Sequence, residues 1–155
     1  MVQSSYMERL PYIDEHVRYV GATRERTWAA VLAVGRAMRG PAGPLGWLLG
    51  LEPAHASGDW SAGVQAGATL PGFVVEQARP PSRLALGGRH RFSHYALVFE
   101  LEEAGPVGTR VRARSWGAFP GVHGHCYRAL VVGSGAHRIV VRRLLRGIEA
   151  RACSA

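Results

Sequence analysis

The chain of 155 residues contains no lysine, and all its positive side-chain charge at neutral pH comes from 19 arginines. The absence of lysine excludes Schiff-base chemistry, a phosphate-loop lysine and a serine–lysine pair. Aspartate is limited to Asp14 and Asp59, so a histidine–carboxylate metal centre is hard to assemble. The most apolar local run, Leu45 to Leu51, is far too short to cross a bilayer. We therefore expect no metal, no other cofactor and no membrane span.

The two cysteines, Cys126 and Cys153, show no metal-ligand spacing and indicate a reduced intracellular setting. The N-terminus, Met1 to Pro11, has no basic segment followed by an apolar one, so the expected location is the cytoplasm. Nearly half of the residues are hydrophobic, which predicts one folded domain over residues 1–155. A net charge of +8 suits nucleic acid, but no recognised binding motif accompanies it, and we expect no nucleic-acid partner.

The N-terminal half predicts a strand and then a helix. Tyr12 to Val20 alternates as a half-buried strand, with Ile13, Val17 and Tyr19 on the apolar side. Thr23 is the expected N-cap of an amphipathic helix that ends before residue 40. Residues 40–71 lack a strong period and are expected to form an irregular segment or a lid, with a short strand near residues 64–70.

A run of strands follows from residue 72. The pattern predicts a strand from Phe73, a connection over 79–82, a strand from Arg83 and a break or bulge at Gly87-Gly88. We expect the longest strand over residues 89–102, with His90 and His94 on its outer side and Tyr95, Leu97 and Phe99 facing inward. The return strand, 109–118, is expected to turn Val111, Ala113 and Ser115 inward and its alternate arginines outward.

The C-terminal stretch, 120–151, predicts one long helix with a single apolar stripe. The stripe consists of Val122, Cys126, Leu130, Gly133, His137, Val140, Leu144 and Ile148. Its register continues through Gly133-Ser134-Gly135, although two glycines leave a break open as the alternative. The order of elements predicts an α+β fold with helices on one face of a curved antiparallel sheet.

These residues carry a resemblance to a known superfamily. The chain resembles the START-like, or SRPBCC, superfamily in five segments. They are the strand 12–20 with its helix, the hairpin Gly72-Phe73-Val74-Val75-Glu76-Gln77-Ala78-Arg79-Pro80-Pro81-Ser82-Arg83-Leu84, the strand 92–102, the return Gly108-Thr109-Arg110-Val111 and the terminal helix. Residues 88–97 and 116–121 are similar to a bacterial branch of it. The resemblance implies a helix-grip fold with an internal hydrophobic cavity. It also implies binding of lipids, sterols, polyketides or aromatic hormones, with polyketide cyclisation in some members.

Ten residues are candidates for the cavity wall. They are Trp60, Arg91, Tyr95, Leu97, Phe99, Ser115, His123, Cys126, Gly133 and His137. A histidine, an arginine and a tyrosine that converge in an apolar pocket can orient a ligand carbonyl or phenolate, or act as general acid and base. The alternative for His137 is a hydrogen-bonded core residue, and the alternative for Arg91 is a position at the sheet edge. No catalytic residue follows from the resemblance.

Three functions stay open at this point. The first is binding of a small apolar or aromatic molecule between the sheet and the terminal helix. The second is an enzyme of the polyketide cyclase or aromatase kind, and the third is an interaction protein with an arginine-rich face. A homodimer also stays open.

Overall fold

The computed structural model describes residues 7, 9–40, 43–61 and 63–154. Six strands and four α-helices lie fully within these residues. In chain order they are β1 Tyr12–Val20, α1 Arg24–Ala37, α2 Gly43–Leu49, β2 Thr69–Leu70, β3 Phe73–Arg79, β4 Arg83–His90, β5 Ser93–Glu103, β6 Thr109–Ala118, α3 Gly121–Arg128 and α4 Ala136–Cys153. All sheet neighbours are antiparallel, in the order β1-β6-β5-β4-β3-β2. The predicted α+β class is confirmed. That all of 1–155 forms a single domain stays a prediction.

Strands β5 and β6 show the predicted alternation. On β6, Val111, Ala113 and Ser115 are at most 2% exposed, whereas the arginines between them are half-buried on the other face. On β5, Leu97 and Phe99 are buried on the inner face. Helices α1 and α4 pack against each other and over this inner face, so the main core lies between the helices and the sheet.

The predicted faces of β1 are correct at Ile13, which lines the cavity described below, and wrong in the rest of the strand. Val17 and Tyr19 are 45% and 66% exposed. A register shift between Tyr12 and Asp14 is one cause, because a bulge changes which alternate residues face inward. The other cause is α4, which offers polar partners to the half-buried polar side of the strand. Arg18 pairs there with Glu149 and Asp14 pairs with His137.

The predicted break at Gly87-Gly88 is also wrong, because β4 continues through both glycines to His90. The chain turns at Arg91-Phe92 instead. A Cβ atom at Gly88 would lie 1.9 Å from the carbonyl oxygen of Gly72, so this glycine permits close backbone approach rather than a break. Moving the turn places Arg91 outside the strands.

The predicted C-terminal helix is interrupted at the alternative position. Helix α3 ends at Arg128, a π-helical turn covers Ala129–Gly133, and Gly135 adopts φ +82° before α4 begins. After the break the stripe is only partly correct: its members line the cavity described below, but Ile148 alone is fully buried and Val140 is 56% exposed. The buried side of α4 consists of Val141, Leu145, Ile148 and Ala152. Before the break, the predicted stripe residues Val122 and Leu130 are 77% and 70% exposed.

Two further predictions concern the N-terminal half. Thr23 caps α1, accepting a hydrogen bond from the backbone N–H of Arg26 at 3.4 Å. The segment 40–71 is less irregular than predicted, because α2 and the short strand β2 lie within it. It nevertheless reaches the cavity described below, since Leu49, Leu51, Trp60 and Leu70 line its wall.

Candidate functional site

A cavity of about 260 Å³ lies between the inner face of the sheet and helices α1 and α4. Its wall is mainly apolar. Leu84, Leu86, Leu97 and Phe99 supply the sheet side, and the helices add valine, leucine and isoleucine side chains. Two exposed residues also line it, Met38 at 40% and Val140 at 56% exposed, so the wall reaches solvent between the end of α1 and the start of α4.

Six of the ten candidate residues line this cavity. They are Trp60, Tyr95, Leu97, Phe99, Ser115 and His137. The strand residues are there because the predicted inward faces of β5 and β6 are correct. Trp60 is 1% exposed, and its Nε1–H donates to the carbonyl oxygen of Thr69 at 3.2 Å. It is thus a fixed part of the wall rather than a mobile residue at the mouth.

The other four candidates lie away from the cavity wall. Arg91 is exposed in the β4–β5 turn, where its side chain lies beside Gly50. His123 is exposed and stacks on Phe92 with ring centroids 6.5 Å apart. Cys126 and Gly133 are exposed as well. The shifted turn accounts for Arg91, and the interrupted helix accounts for the other three.

The structure adds polar residues at what we call the turn end of the cavity, formed by His90, Ser93 and Tyr95. Ser93 is 2% exposed and pairs directly with His90 across the hairpin, so both side chains share the inner face. The predicted outer position of His90 is therefore wrong. The signal that could have found it is the turn position, because a hairpin turn at 91–92 inverts the side assigned to every residue before it.

Polar groups at the turn end have partners within the protein. His90 Nδ1 accepts a hydrogen bond from the Phe92 backbone N–H at 3.1 Å, so the proton of the neutral ring is on Nε2, 3.0 Å from Ser93 Oγ. Burial, with a smaller contribution from nearby His94, lowers the pKa of His90 and favours this neutral ring. The Tyr95 hydroxyl donates to the carbonyl oxygen of Gly72 at 2.6 Å.

Aromatic rings cover the turn end. The Tyr127 ring centroid lies 4.6 Å from that of His90 and 5.7 Å from that of Phe92. Burial raises the pKa of the Tyr95 and Tyr127 hydroxyls, so both stay protonated at neutral pH. This end of the cavity therefore presents neutral aromatic surface.

A second polar group, the helix end, is formed by Asp14, Ser115 and His137. His137 Nε2 lies 3.3 Å from Asp14 Oδ1, and His16 Nε2 lies 3.1 Å from Asp14 Oδ2. Ser115 is directly opposite Asp14 in the β1–β6 register. It is 2% exposed, and within the described ranges its Oγ has no hydrogen-bond partner. The helix end thus joins a carboxylate, imidazoles and an unpaired hydroxyl.

Most arginines on the sheet are paired with carboxylates. The ion pairs there are Arg83–Glu100, Arg89–Glu52, Arg110–Glu102, Arg112–Glu15 and Arg114–Glu100. The outer face of the sheet is therefore mixed in charge. Helix α4 has five exposed arginines, at Arg138, Arg142, Arg143, Arg146 and Arg151.

The described part of the chain offers neither a membrane span nor a metal cluster. No helix there is long and apolar enough to cross a membrane. No group of three or more histidine, cysteine or acidic side chains there is arranged to hold a metal ion.

Solved structures share the fold at low sequence identity. The protein Mll3558 from Rhizobium loti is 19% identical with a TM-score of 0.56, and the match covers 89% of this chain and 94% of that one. CalU16 from Micromonospora echinospora is 15% identical, with a TM-score of 0.51 and coverage of 89% and 82%. TTHA0849 from Thermus thermophilus is 17% identical, with a TM-score of 0.53 and coverage of 94% and 100%. The helix-grip arrangement is thereby confirmed.

No protein-family model matches the sequence, and no curated protein is similar to it. The likeness to solved structures shows the fold alone. Membership of the START-like superfamily stays a prediction.

Proposed function

We propose that this protein binds a small apolar or aromatic molecule in the cavity between the sheet and α4. The observation that carries the proposal is the cavity of about 260 Å³ with a mainly apolar wall. A concave, largely apolar site with few polar groups is typical of small-molecule binding. The wall is built on strands β4 to β6 and on α4, so it is formed before a ligand arrives.

The wall's chemistry favours an uncharged aromatic or aliphatic ligand over a charged one. Phe99, Tyr95 and Tyr127 offer ring faces and edges, and the leucines beside them offer methyl groups. No arginine is among the described residues that line this cavity, although the chain has 19. A buried anion would therefore meet no guanidinium partner in the wall.

The test is native mass spectrometry of the purified protein, followed by denaturing extraction of anything retained. We expect a stoichiometric apolar compound, or binding of apolar compounds from a panel of lipids and aromatic polyketides. The variant Leu97→Trp, which fills the cavity with an indole, should lose this binding. The control Val122→Trp adds the same side chain at a position that is 77% exposed and should retain it. Equal binding by wild type and Leu97→Trp would contradict the proposal.

An enzyme of the polyketide cyclase or aromatase kind is the second candidate. The observation that favours it is that His137, which lines the cavity, pairs with Asp14, because a carboxylate can orient an imidazole for proton transfer. For an enzyme, His137→Ala should abolish turnover while ligand affinity changes little. For a carrier, the same variant should change affinity alone.

The third candidate is an interaction protein that uses an arginine-rich face. The exposed arginines of α4, which include Arg138, Arg142 and Arg146, are the residues that favour it. Binding of an anionic partner to them should weaken steeply with salt. Binding that stays constant across salt concentrations would eliminate this candidate.

A further inference from the structure

The Ser115 hydroxyl is the starting point of this inference. It is almost fully buried, it lines the cavity, and none of the described residues gives its Oγ a hydrogen bond. Burying a hydroxyl without a partner costs free energy, and native proteins rarely leave such a group unexplained. Because Ser115 lies in the cavity wall, an atom of a bound ligand can be the missing hydrogen-bond partner of its hydroxyl.

The neighbours of Ser115 define what that ligand atom is. Cross-strand pairs in antiparallel sheets have Cβ atoms about 5 Å apart, so the Asp14 carboxylate lies beside Ser115. Each Asp14 oxygen already has an imidazole partner, His137 on one and His16 on the other. A carboxylate beside the site disfavours a ligand anion there.

His137 adds an acceptor. Its Nε2 must carry the proton that Asp14 accepts, because an ionised carboxylate only accepts. When the ring carries only that proton, its other nitrogen, Nδ1, has a lone pair to which none of the described residues donates. A serine O–H that donates and an imidazole nitrogen that accepts together match a hydroxyl group, which both accepts and donates.

The turn end does not compete for the same group. His90 and Tyr95 already have hydrogen-bond partners there, and Ser93 Oγ is the partner of His90. Ser93 is four residues from Leu97 on β5, and Leu97 pairs with Ser115, which puts the two ends about 13 Å apart along the strand. The apolar part of a ligand whose polar atom binds at the helix end would therefore extend toward the aromatic rings of the turn end.

We propose that the cavity selects an uncharged, largely apolar hydroxyl compound, a phenol or an alcohol, whose oxygen binds at Ser115 beside Asp14 and His137. This inference rests on the proposed function, because it assumes that an apolar molecule occupies the cavity. It adds the chemical class of that molecule and the residue that recognises it.

Three probes of one shape test the proposal: 2-naphthol, 2-methylnaphthalene and 2-naphthoate. They keep the aromatic body and exchange a hydroxyl for a methyl group or a carboxylate. Binding of each to the purified protein at pH 8 is measured by titration calorimetry. We expect 2-naphthol to bind about tenfold more tightly than 2-methylnaphthalene and 2-naphthoate to bind most weakly.

Variants at Ser115 assign the preference to one atom. Ser115→Ala should lose about tenfold in affinity for 2-naphthol, equivalent to about 1.4 kcal/mol, with no loss for 2-methylnaphthalene. Ser115→Thr keeps the hydroxyl and should retain the preference. If Ser115→Thr does not fold, the size-matched Ser115→Cys, a weaker donor, should show a reduced preference. Ser93→Ala, the control at the turn end, should bind the two neutral probes in the wild-type ratio.

The outcomes separate this inference from the proposed function. Binding of 2-methylnaphthalene with an affinity equal to that of 2-naphthol would overturn the hydroxyl assignment and leave the apolar cavity in place. A preference for 2-naphthol that persists in Ser115→Ala would also overturn it. Failure of both neutral probes to bind would overturn both proposals. Tight binding of 2-naphthoate would contradict the uncharged class.

Discussion

The two ends of the cavity contain similar residue types but satisfy them differently. At the turn end, His90 and Tyr95 form hydrogen bonds within the protein, and Ser93 is the partner of His90. At the helix end, Asp14 and His137 bind each other, but the buried Ser115 hydroxyl beside them has no partner in the described chain. A satisfied polar group mainly contributes to stability, and an unsatisfied one in a cavity is available to a ligand. The comparison predicts that substitutions at the two ends have different consequences.

The largest expected effect is at the turn end. Gly88→Ala would place a Cβ atom 1.9 Å from the Gly72 carbonyl oxygen and 2.7 Å from a Tyr95 ring carbon, so the backbone must move. We expect a loss of about 3 kcal/mol in the free energy of unfolding, measured by chemical denaturation. Gly87→Ala is the matched control, because its new Cβ would meet mainly the flexible end of Glu76 and should cost much less. Equal losses would contradict close packing at this end.

Removal of one hydroxyl at the turn end should cost stability and leave binding unchanged. Tyr95→Phe leaves the carbonyl oxygen of Gly72 without its 2.6 Å partner. We expect a loss of about 1 to 2 kcal/mol in the free energy of unfolding. The affinity for 2-methylnaphthalene should stay within about twofold of wild type, which corresponds to less than about 0.5 kcal/mol. A large loss of affinity without a loss of stability would assign Tyr95 to the ligand instead.

Removal of the hydroxyl at the helix end should have the opposite effect on stability. Ser115→Ala eliminates a buried hydroxyl that has no partner among the described residues, so the ligand-free protein should become more stable by about 1 kcal/mol. The melting temperature without ligand measures this gain. A destabilised Ser115→Ala would mean that the hydroxyl contributes to the fold, and the contrast between the two ends would fail.

The smallest expected effect is a pH dependence at the turn end. Burial lowers the pKa of His90 below its ordinary value of 6.5, so below about pH 6.5 the unfolded chain binds the proton more readily than the folded one. Stability should therefore fall as the pH decreases from about 7 to about 5. His90→Gln should show a smaller decrease in melting temperature over this range. An unchanged slope in that variant would remove His90 as a source of the effect.

Much of the sheet could be predicted from the sequence, because one buried face imposes a strict two-residue period. The inward residues of β5 and β6 follow that period, and with them Leu97, Phe99 and Ser115. The position of the β4–β5 turn could not be read in the same way. In the sequence, Gly88 predicts a break in the strand. In the structure, glycine is required at this position because the Gly72 backbone, from another part of the chain, approaches it closely.

The helix end depends on contacts that a local pattern does not contain. The alternating pattern places Asp14 on the solvent-facing side of its strand, and its partner His137 is 123 residues away in the sequence. From His137 onward the C-terminal stripe lines the cavity but is fully buried only at Ile148, and before the helix break at Gly135 Cys126 and His123 lie at the surface. A glycine-rich interruption can be seen in a sequence, but the change of helical phase across it cannot.

The most direct test of the account is a crystal structure of the protein with 2-naphthol. The account predicts the naphthalene ring between the sheet and α4, against Phe99 and Leu97, with its oxygen within hydrogen-bond distance of Ser115 Oγ. An oxygen at His90 and Ser93 would contradict the assigned orientation. A molecule bound outside the cavity, with the interior unchanged, would contradict the account as a whole.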